Sequence, residues 1–500
     1  MALLDGIKHR ETAKQHRPWP RAEVSEEGWR QAMDLLADRR CSLLGLWGDA
    51  PDVHMALLAA NFTDIAVVTY TCKDGTYPSV AARHPPAGKL ERAIRDLYGL
   101  DAVGAPDSRT WLDLGFWSVK YPLGKRSKAG KPKPYQFLPV EGEGLHQIPV
   151  GPVHAGIIEP GHFRFTCNGE HVVRLEERLG YVHKGIESLM QGTSLEQAAR
   201  LASRTSGDST VAYAFAFAQA VEAATQTAVP PRATHLRALM AELERLANHF
   251  GDIGAICNDA SFAIMHAQCG ILRERTLRAA EACFGHRLMM DAIVPGGVAR
   301  DIAEDGIAQL RALLTEVRRV FPRLVELYDS TASLQDRTVS TGIVKPDYVR
   351  QWGAGGYVGR ASGRGFDARR FYAPYDRLTF DVPTREEGDV NARVWIRIRE
   401  VEQSLALIEQ ILGGLPASKI FTPVKAKGKA SEGMALAEAF RGDVLVWLRL
   451  DAKSTIERCH LRDASWFQWP LLETAIKDNI VADFPLCNKS FICSYSGHDL

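Results

Sequence analysis

The chain has 500 residues, 46% of them hydrophobic and 24% charged, and a formal net charge of +1. That length exceeds one compact core and predicts two or three domains, while the balanced charge argues against a nucleic-acid binder, which needs a basic excess to neutralise phosphates. No run approaches the ~18 consecutive apolar residues of a bilayer span, and the opening "MALLDGIKHRETAKQ" lacks the apolar core of a secretory signal, so membrane attachment is expected only through partner subunits.

Residues 1–120 read as an α/β domain. "EEGWRQAMDLLADRR" has helical spacing, and "IAVVTYTC" is a β-branched strand run. "KLERAIRDLYGL" (89–100) predicts a short amphipathic helix that stops near Gly99. The next stretch, "PLGKRSKAGKPKPYQFLPVEGEG", is aperiodic and rich in Lys, Pro and Gly. It reads as a basic linker over 121–149, either solvated or draped over a neighbour.

From residue 150 the chain changes character. "HFRFTCNGEHVVRLEERLGYV" predicts a hairpin around the Asn168-Gly169 turn. Helices follow. "RTSGDS" (204–209) precedes "TVAYAFAFAQAVEAA", which is apolar all round and predicts a central buried helix over 210–224. Asp208 or Ser209 at its N-cap would be worth roughly 1 kcal/mol. "THLRALMAELERLANHF" places Leu236, Leu239, Met240, Leu243, Leu246, Ala247 and Phe250 on one face, and "GILRERTLRAAEACFGH" is expected to end near Gly285. "GIAQLRALLTEVRRVFPRLVELY" and "NARVWIRIREVEQSLALIEQILGG" predict two more long helices. The fold class is therefore α+β: an N-terminal α/β domain, then a mainly helical bundle over 150–500 that opens with a β-hairpin and carries its chemistry on loops.

Nine cysteines are scattered along the chain and none forms C-x-x-C. They read as reduced, mostly buried thiols of a cytoplasmic compartment. The chain offers no cysteine motif for an iron–sulfur cluster.

Several segments together resemble the large, catalytic-type subunit shared by respiratory complex I and membrane-bound nickel–iron hydrogenases of the formate-hydrogenlyase type. They are "VGPVHAGIIEPGHFRF" (150–165), "GYVHKGIESL" (180–189), "VPPRATHLRALMAELERLANH" (229–249), "GRASGRGFDAR" and "YDRLTFDVPTREEGDVNARVWIRIREVEQSL". "PPAGKLERAIRDLYGL" is similar to the small hydrophilic subunit of complex I, fused in front. The resemblance covers almost the whole chain. It implies a place on the cytoplasmic side of the membrane, beside an iron–sulfur subunit, a ferredoxin-like subunit and membrane-arm antiporter-like subunits.

In the hydrogenases of this family four thiolates hold nickel and iron, because soft sulfur ligands suit those metals. By position, the first pair corresponds to Ser206 and Ser209, a following His to Tyr213, and the second pair to Ser494 and Gly497. Cys487 and Cys493 lie near the second pair but out of register. Serine hydroxyls stay protonated near neutral pH, so no metal is expected. Those hydrogenases also lose a C-terminal tail just past the last motif. Here the sequence stops at Leu500, where the mature form would end.

Complex I uses the equivalent cavity for quinone. Its headgroup Tyr corresponds to Leu195, its His to His162, and the Asp paired with that His to Asp259. A quinone is thus implied with one ligand missing. Glu159 matches a glutamate that passes protons away from the metal, and a plain turn acid before Pro160 is the alternative. Arg204 matches a cavity arginine, and a salt bridge to a neighbouring acid is its alternative. His183 and Glu187, four apart, read as a structural pair. Arg360, Arg364, Asp367 and Arg369 are dense in charge for a Gly-rich loop, and the resemblance assigns them a lining role. The expected cavity is a polar, metal-free pocket lined by Glu159, His162, Arg204, Ser206, Asp208, Ser209, Asp259 and Ser494. It either takes a quinone or another acceptor or couples electron transfer to proton or ion movement, or remains as a relic in a scaffold subunit; an active nickel–iron hydrogenase with unusual ligands is the third reading.

Overall fold

Ser25 starts the first long helix, Glu26–Ala37, by accepting the Gly28 N–H at its N-cap. The second, Gly88–Tyr98, stops at Gly99, whose φ of +73° returns an N–H to the Arg95 carbonyl, the left-handed cap that glycine allows. These two helices flank a five-stranded sheet in the computed structural model, which describes residues 3–500. The strand order is His9–Thr12, Arg21–Val24, Ile65–Thr71, Asp52–Ala59, Cys41–Asp49, antiparallel except where Arg21–Val24 runs parallel to Ile65–Thr71.

The segment expected as a linker is more structured than its composition implies. Val119–Lys120 and Ser127–Lys128 pair as a short ribbon. Leu145–Val150 is a strand, in register with His162–Asn168, and the latter pairs with His171–Arg178 around the Asn168-Gly169 turn. The expected hairpin thus supplies two strands of a three-stranded sheet, with His162–Asn168 in the middle.

The long helices are Thr210–Thr225, Pro231–Asp259, Ala263–Phe284, Glu304–Ser330 and Val390–Gly413. Thr210–Thr225 is buried along nearly its whole length. Ala263–Phe284 ends at Gly285 with a left-handed cap. The mainly helical second half also holds a sheet that the sequence reading did not include. Ser431–Ala439, Gly442–Leu450 and Ile456–Arg462 form an antiparallel sheet, and His16–Arg17 from the far N-terminus adds to its edge, His16 opposite Glu432.

That C-terminal sheet is covered on both sides. The central helix packs on one. On the other, Met434, Leu436, Leu445 and Trp447 join Leu44, Trp47, Ala56, Leu58, Ile65 and Val67 of the N-terminal sheet in one apolar cluster. The buried Arg21–Glu432 pair, with Nε to Oε2 at 2.9 Å and Nη2 to Oε1 at 3.0 Å, crosses the same junction. The two halves of the chain therefore share a core.

Candidate functional site

Four segments far apart in sequence converge on a cavity of ≈ 330 Å³: the loop before the meander's second strand (Ile158, Glu159), the turn before the central helix (Ser206, Gly207, Asp208), the β-turn that carries Arg441, and the C-terminal stretch 488–496. Ser206 and Ser494 face each other with their hydroxyl oxygens 3.0 Å apart. Ser206 donates to Asp208 Oδ1 at 2.8 Å, which leaves Ser494 as the donor between the two serines. The Ser494 oxygen also accepts the Gly497 N–H at 2.9 Å and so caps the short helix Tyr495–Asp499.

Arg441 closes this ring. Its Nη1 donates to Asp208 Oδ1 at 2.8 Å and its Nη2 to Oδ2 at 2.5 Å, a bidentate pair, and Nη1 also reaches the Ser209 hydroxyl at 3.1 Å. The Nε donates to the Ile492 carbonyl. Burial alone would raise the Asp208 carboxyl, but the Arg441 charge and the hydrogen bonds around it outweigh burial and hold it below its ordinary value. A carboxylate and a guanidinium thus face two serines at the positions expected from the resemblance to correspond to metal ligands.

The helix that follows is not capped as expected. Neither Asp208 nor Ser209 caps it through a side chain. Glu244, from the neighbouring helix Pro231–Asp259, accepts the Val211 N–H at 2.7 Å and the Ala212 N–H at 3.2 Å. Burial pushes the Glu244 carboxyl up to about 8 against the pull of those two bonds.

The remaining former ligand position is occupied in a different sense. A β-carbon on Gly497 would lie 2.6 Å from Asp463 Oδ2. That oxygen accepts the Tyr213 hydroxyl at 2.8 Å, and both partners are buried. The space beside Tyr213 and Gly497, the positions expected to correspond to a histidine and a cysteine, is therefore filled by a tyrosine–aspartate bond. Burial raises the thiol of Cys493 well above its ordinary value and that of Cys487 to about 12, so neither is a thiolate ligand. Among the described residues no three His, Cys, Asp or Glu are grouped so as to hold a metal ion. The donor set does not fit a nickel–iron centre.

Of the other sequence-derived positions, Glu159 lines the cavity as an exposed carboxylate and accepts the Ser496 N–H at 2.9 Å. It sits at the rim rather than in a dehydrated recess. His162 does not line the cavity. It is buried beside Phe137, donates from Nδ1 to the Gly151 carbonyl at 3.2 Å, and burial lowers its pKa. Asp259 ends its helix beyond the lining residues, and no hydrogen bond or ion pair joins it to His162 among the described residues. Arg204 turns outward to Asp291, with Nη2 to Oδ2 at 2.7 Å, so the salt-bridge alternative holds. Leu195 lies in a separate groove with Phe421 and Val424.

The charged Gly-rich loop is neither solvated nor cavity-lining. Arg360 is fully buried and binds Glu400 at 2.7 Å and Glu438 at 2.9 Å. Arg369 binds Asp367 at 2.7 Å and Glu242 at 3.0 Å. Arg364 lies over the rings of Phe366 and Phe62. Its charges tie two helices, the C-terminal sheet and the N-terminal domain together. His183 and Glu187 are not partners either. His183 donates to the Asp499 carbonyl at 2.6 Å, and Glu187 accepts from His460 at 2.8 Å.

Sequence reasoning missed Arg441, Asp463, Glu244 and Lys489. Arg441 sits in the turn between Ser431–Ala439 and Gly442–Leu450, where an Arg-Gly pair carries no specific signal.

Comparison with known proteins adds family information. The family model described as the respiratory-chain NADH dehydrogenase 49 Kd subunit matches residues 260–429, and that of the 30 Kd subunit matches residues 22–133. Formate hydrogenlyase subunit 5 of Escherichia coli (strain K12) is 33% identical over 436 residues, covering 85% of this chain and 77% of that protein. An NADH-quinone oxidoreductase subunit of Desulfotalea psychrophila is 31% identical, covering 67% of this chain and 91% of that protein. A chain of the membrane-bound sulfane sulfur reductase, an archaeal respiratory membrane complex, shares the fold, with a TM-score of 0.67 at 24% identity over 73% of this chain and 100% of that one.

Proposed function

Because the chain belongs to the family of the complex I 49 Kd subunit and the membrane-bound hydrogenase large subunits, with a 30 Kd-type domain fused in front, we propose that it is the large-subunit component of a membrane-associated respiratory oxidoreductase. In this reading an iron–sulfur subunit packs beside the cavity and membrane-arm subunits lie below. The cavity works without a metal, taking and releasing protons as electrons pass through the neighbouring clusters, and a quinone or another acceptor is its candidate occupant. No helix among the described residues is long and apolar enough to cross a membrane, so contact with the bilayer is assigned to the partners.

The observation that carries this reading is the Ser206–Ser494–Asp208–Arg441 ring around an open cavity. Hydroxyls hydrogen-bonded in series can pass protons along beside a carboxylate that stays ionised, where thiolates would bind metal. A pure scaffold has no need of open polar space there, and although the Tyr213–Asp463 bond fills one side, the space between Ser206, Asp208, Arg441 and Ser494 stays open.

The test is metal analysis of the purified assembly, followed by paired measurement of electron transfer and ion movement in membranes carrying Asp208→Asn. Nickel far below stoichiometric amounts and a reduced ratio of protons moved to electrons passed are expected. Stoichiometric nickel, or an unchanged ratio, rejects the proposal.

A further inference from the structure

We propose that the basic strap Lys120–Lys133 is a docking surface for an acidic patch on a partner protein. Residues 114–140 hold six lysines and arginines (Lys120, Lys125, Arg126, Lys128, Lys131 and Lys133) and no acid, in a chain whose net charge is only +1. The positive charge is thus concentrated here while the rest of the chain is net negative. Five of these six side chains are exposed, Lys120 being half-buried, and among the described residues none of the six is in an ion pair. Elsewhere on this surface, arginines and carboxylates are paired repeatedly. Unpaired like charges held close repel one another, a cost that a complementary surface removes.

The strap is held, not trailing. Ser127 and Lys128 pair with Lys120 and Val119. Leu123 is buried, its N–H bonded to the Leu97 carbonyl at 3.0 Å and its carbonyl accepting from Arg458. The Lys133 N–H is bonded to the Leu114 carbonyl at 2.9 Å. Just beyond, the Tyr135 hydroxyl accepts from Arg92 at 3.0 Å, and Arg109 and Arg178 stack on its ring. A strap fixed at both ends presents its cations with little ordering cost on docking.

The chemistry favours a protein over the two other polyanions. Residues 124–134 contain no large apolar side chain to insert into a bilayer, and Phe116, exposed beside the strap, is a single ring rather than an apolar face. The strap's one aromatic residue, Tyr121, lies against Gly99, and residues 124–134 contain none on which a nucleic-acid base could stack, and a long polyanion would also meet the negative remainder of the chain. A compact acidic patch reaches the strap alone. This inference rests on the proposed membership of a multisubunit assembly but not on any property of the cavity.

The test is zero-length carbodiimide cross-linking of the native assembly, which joins a lysine amine to a carboxylate in direct contact. Amide links between Lys125, Lys128, Lys131 or Lys133 and Asp or Glu residues of another polypeptide are expected. Replacing these four with Gln is expected to abolish the links and to make association with that polypeptide less sensitive to salt, with the Tm unchanged. Full reactivity of all four lysines toward an amine reagent in the native assembly, with no links, overturns the proposal. So does strap-dependent sedimentation with vesicles of about 30 mol% phosphatidylserine, or strap-dependent binding of a single-stranded oligonucleotide, in place of the links. Failure of the metal-free cavity reading leaves the cross-links unaffected, so the two proposals fail separately.

Discussion

The hydroxyls of Ser206 and Ser494 meet at 3.0 Å across a sequence separation of 288 residues. Together they join the start of the central helix to the C-terminal segment through a neutral bond. Removing either hydroxyl breaks the same contact. The two Ala substitutions are therefore expected to be non-additive by about 1 kcal/mol in a double-mutant cycle read from thermal melts. Strict additivity would mean the bond contributes nothing.

Gly497 is fixed by its neighbour. An alanine β-carbon would sit 2.6 Å from Asp463 Oδ2, and Gly497→Ala should cost about 1–3 kcal/mol. Asp463→Ser, which gives the β-carbon room, should partly restore a Gly497→Ala chain while destabilising the wild type. For the same reason, restoring all four cysteines is expected to yield neither bound nickel nor hydrogen evolution. Metal in stoichiometric amounts would sink that expectation.

Glu244 gives a pH signature. Its carboxyl, pushed up to about 8, holds a proton in the folded chain that an ordinary Glu, near 4.3, has lost in the unfolded one. Folding then binds a proton between those values, and stability falls as pH rises through that window. Glu244→Gln removes this contribution, so the Tm of the wild type relative to the variant should decline from pH 5 to about 8. Parallel curves would contradict it.

Arg360 separates core from cavity. Arg360→Ala strands the buried carboxylates of Glu400 and Glu438, at an expected cost of about 3–5 kcal/mol. Lys489→Ala, at the cavity wall, should stay within about 0.5 kcal/mol. Equal Tm losses for the two would show that the loop network is not the anchor its geometry implies.

Local signals survived translation into structure where local physics decides. Gly99 and Gly285 end their helices through a left-handed backbone, and Asn168-Gly169 turns its hairpin. The sheet over 431–462 was illegible because both its faces are covered. Ser431–Ala439 is buried at every residue, and two-sided burial erases the alternation that marks a half-exposed strand. The site was partly legible. Ser206, Ser209, Ser494 and Asp208 converge as their positions implied. Arg204 and the Arg360 loop do not, because a charge in sequence does not reveal its distant partner: Asp291, Glu400 and Glu438 each lie at least 40 residues away. Arg441 stands in an unremarkable turn, and only the folded chain places it against Asp208.

The strand His16–Arg17 on the edge of the C-terminal sheet, with the shared apolar layer beneath it, bears on how such a chain is encoded. The two halves are joined by a sandwich and a buried ion pair that do not depend on the peptide between them being continuous. A gene split within residues 129–140, which have no regular structure, would yield two polypeptides that still find each other through the same surfaces. The shared layer would let the same architecture assemble whether one messenger or two specifies it.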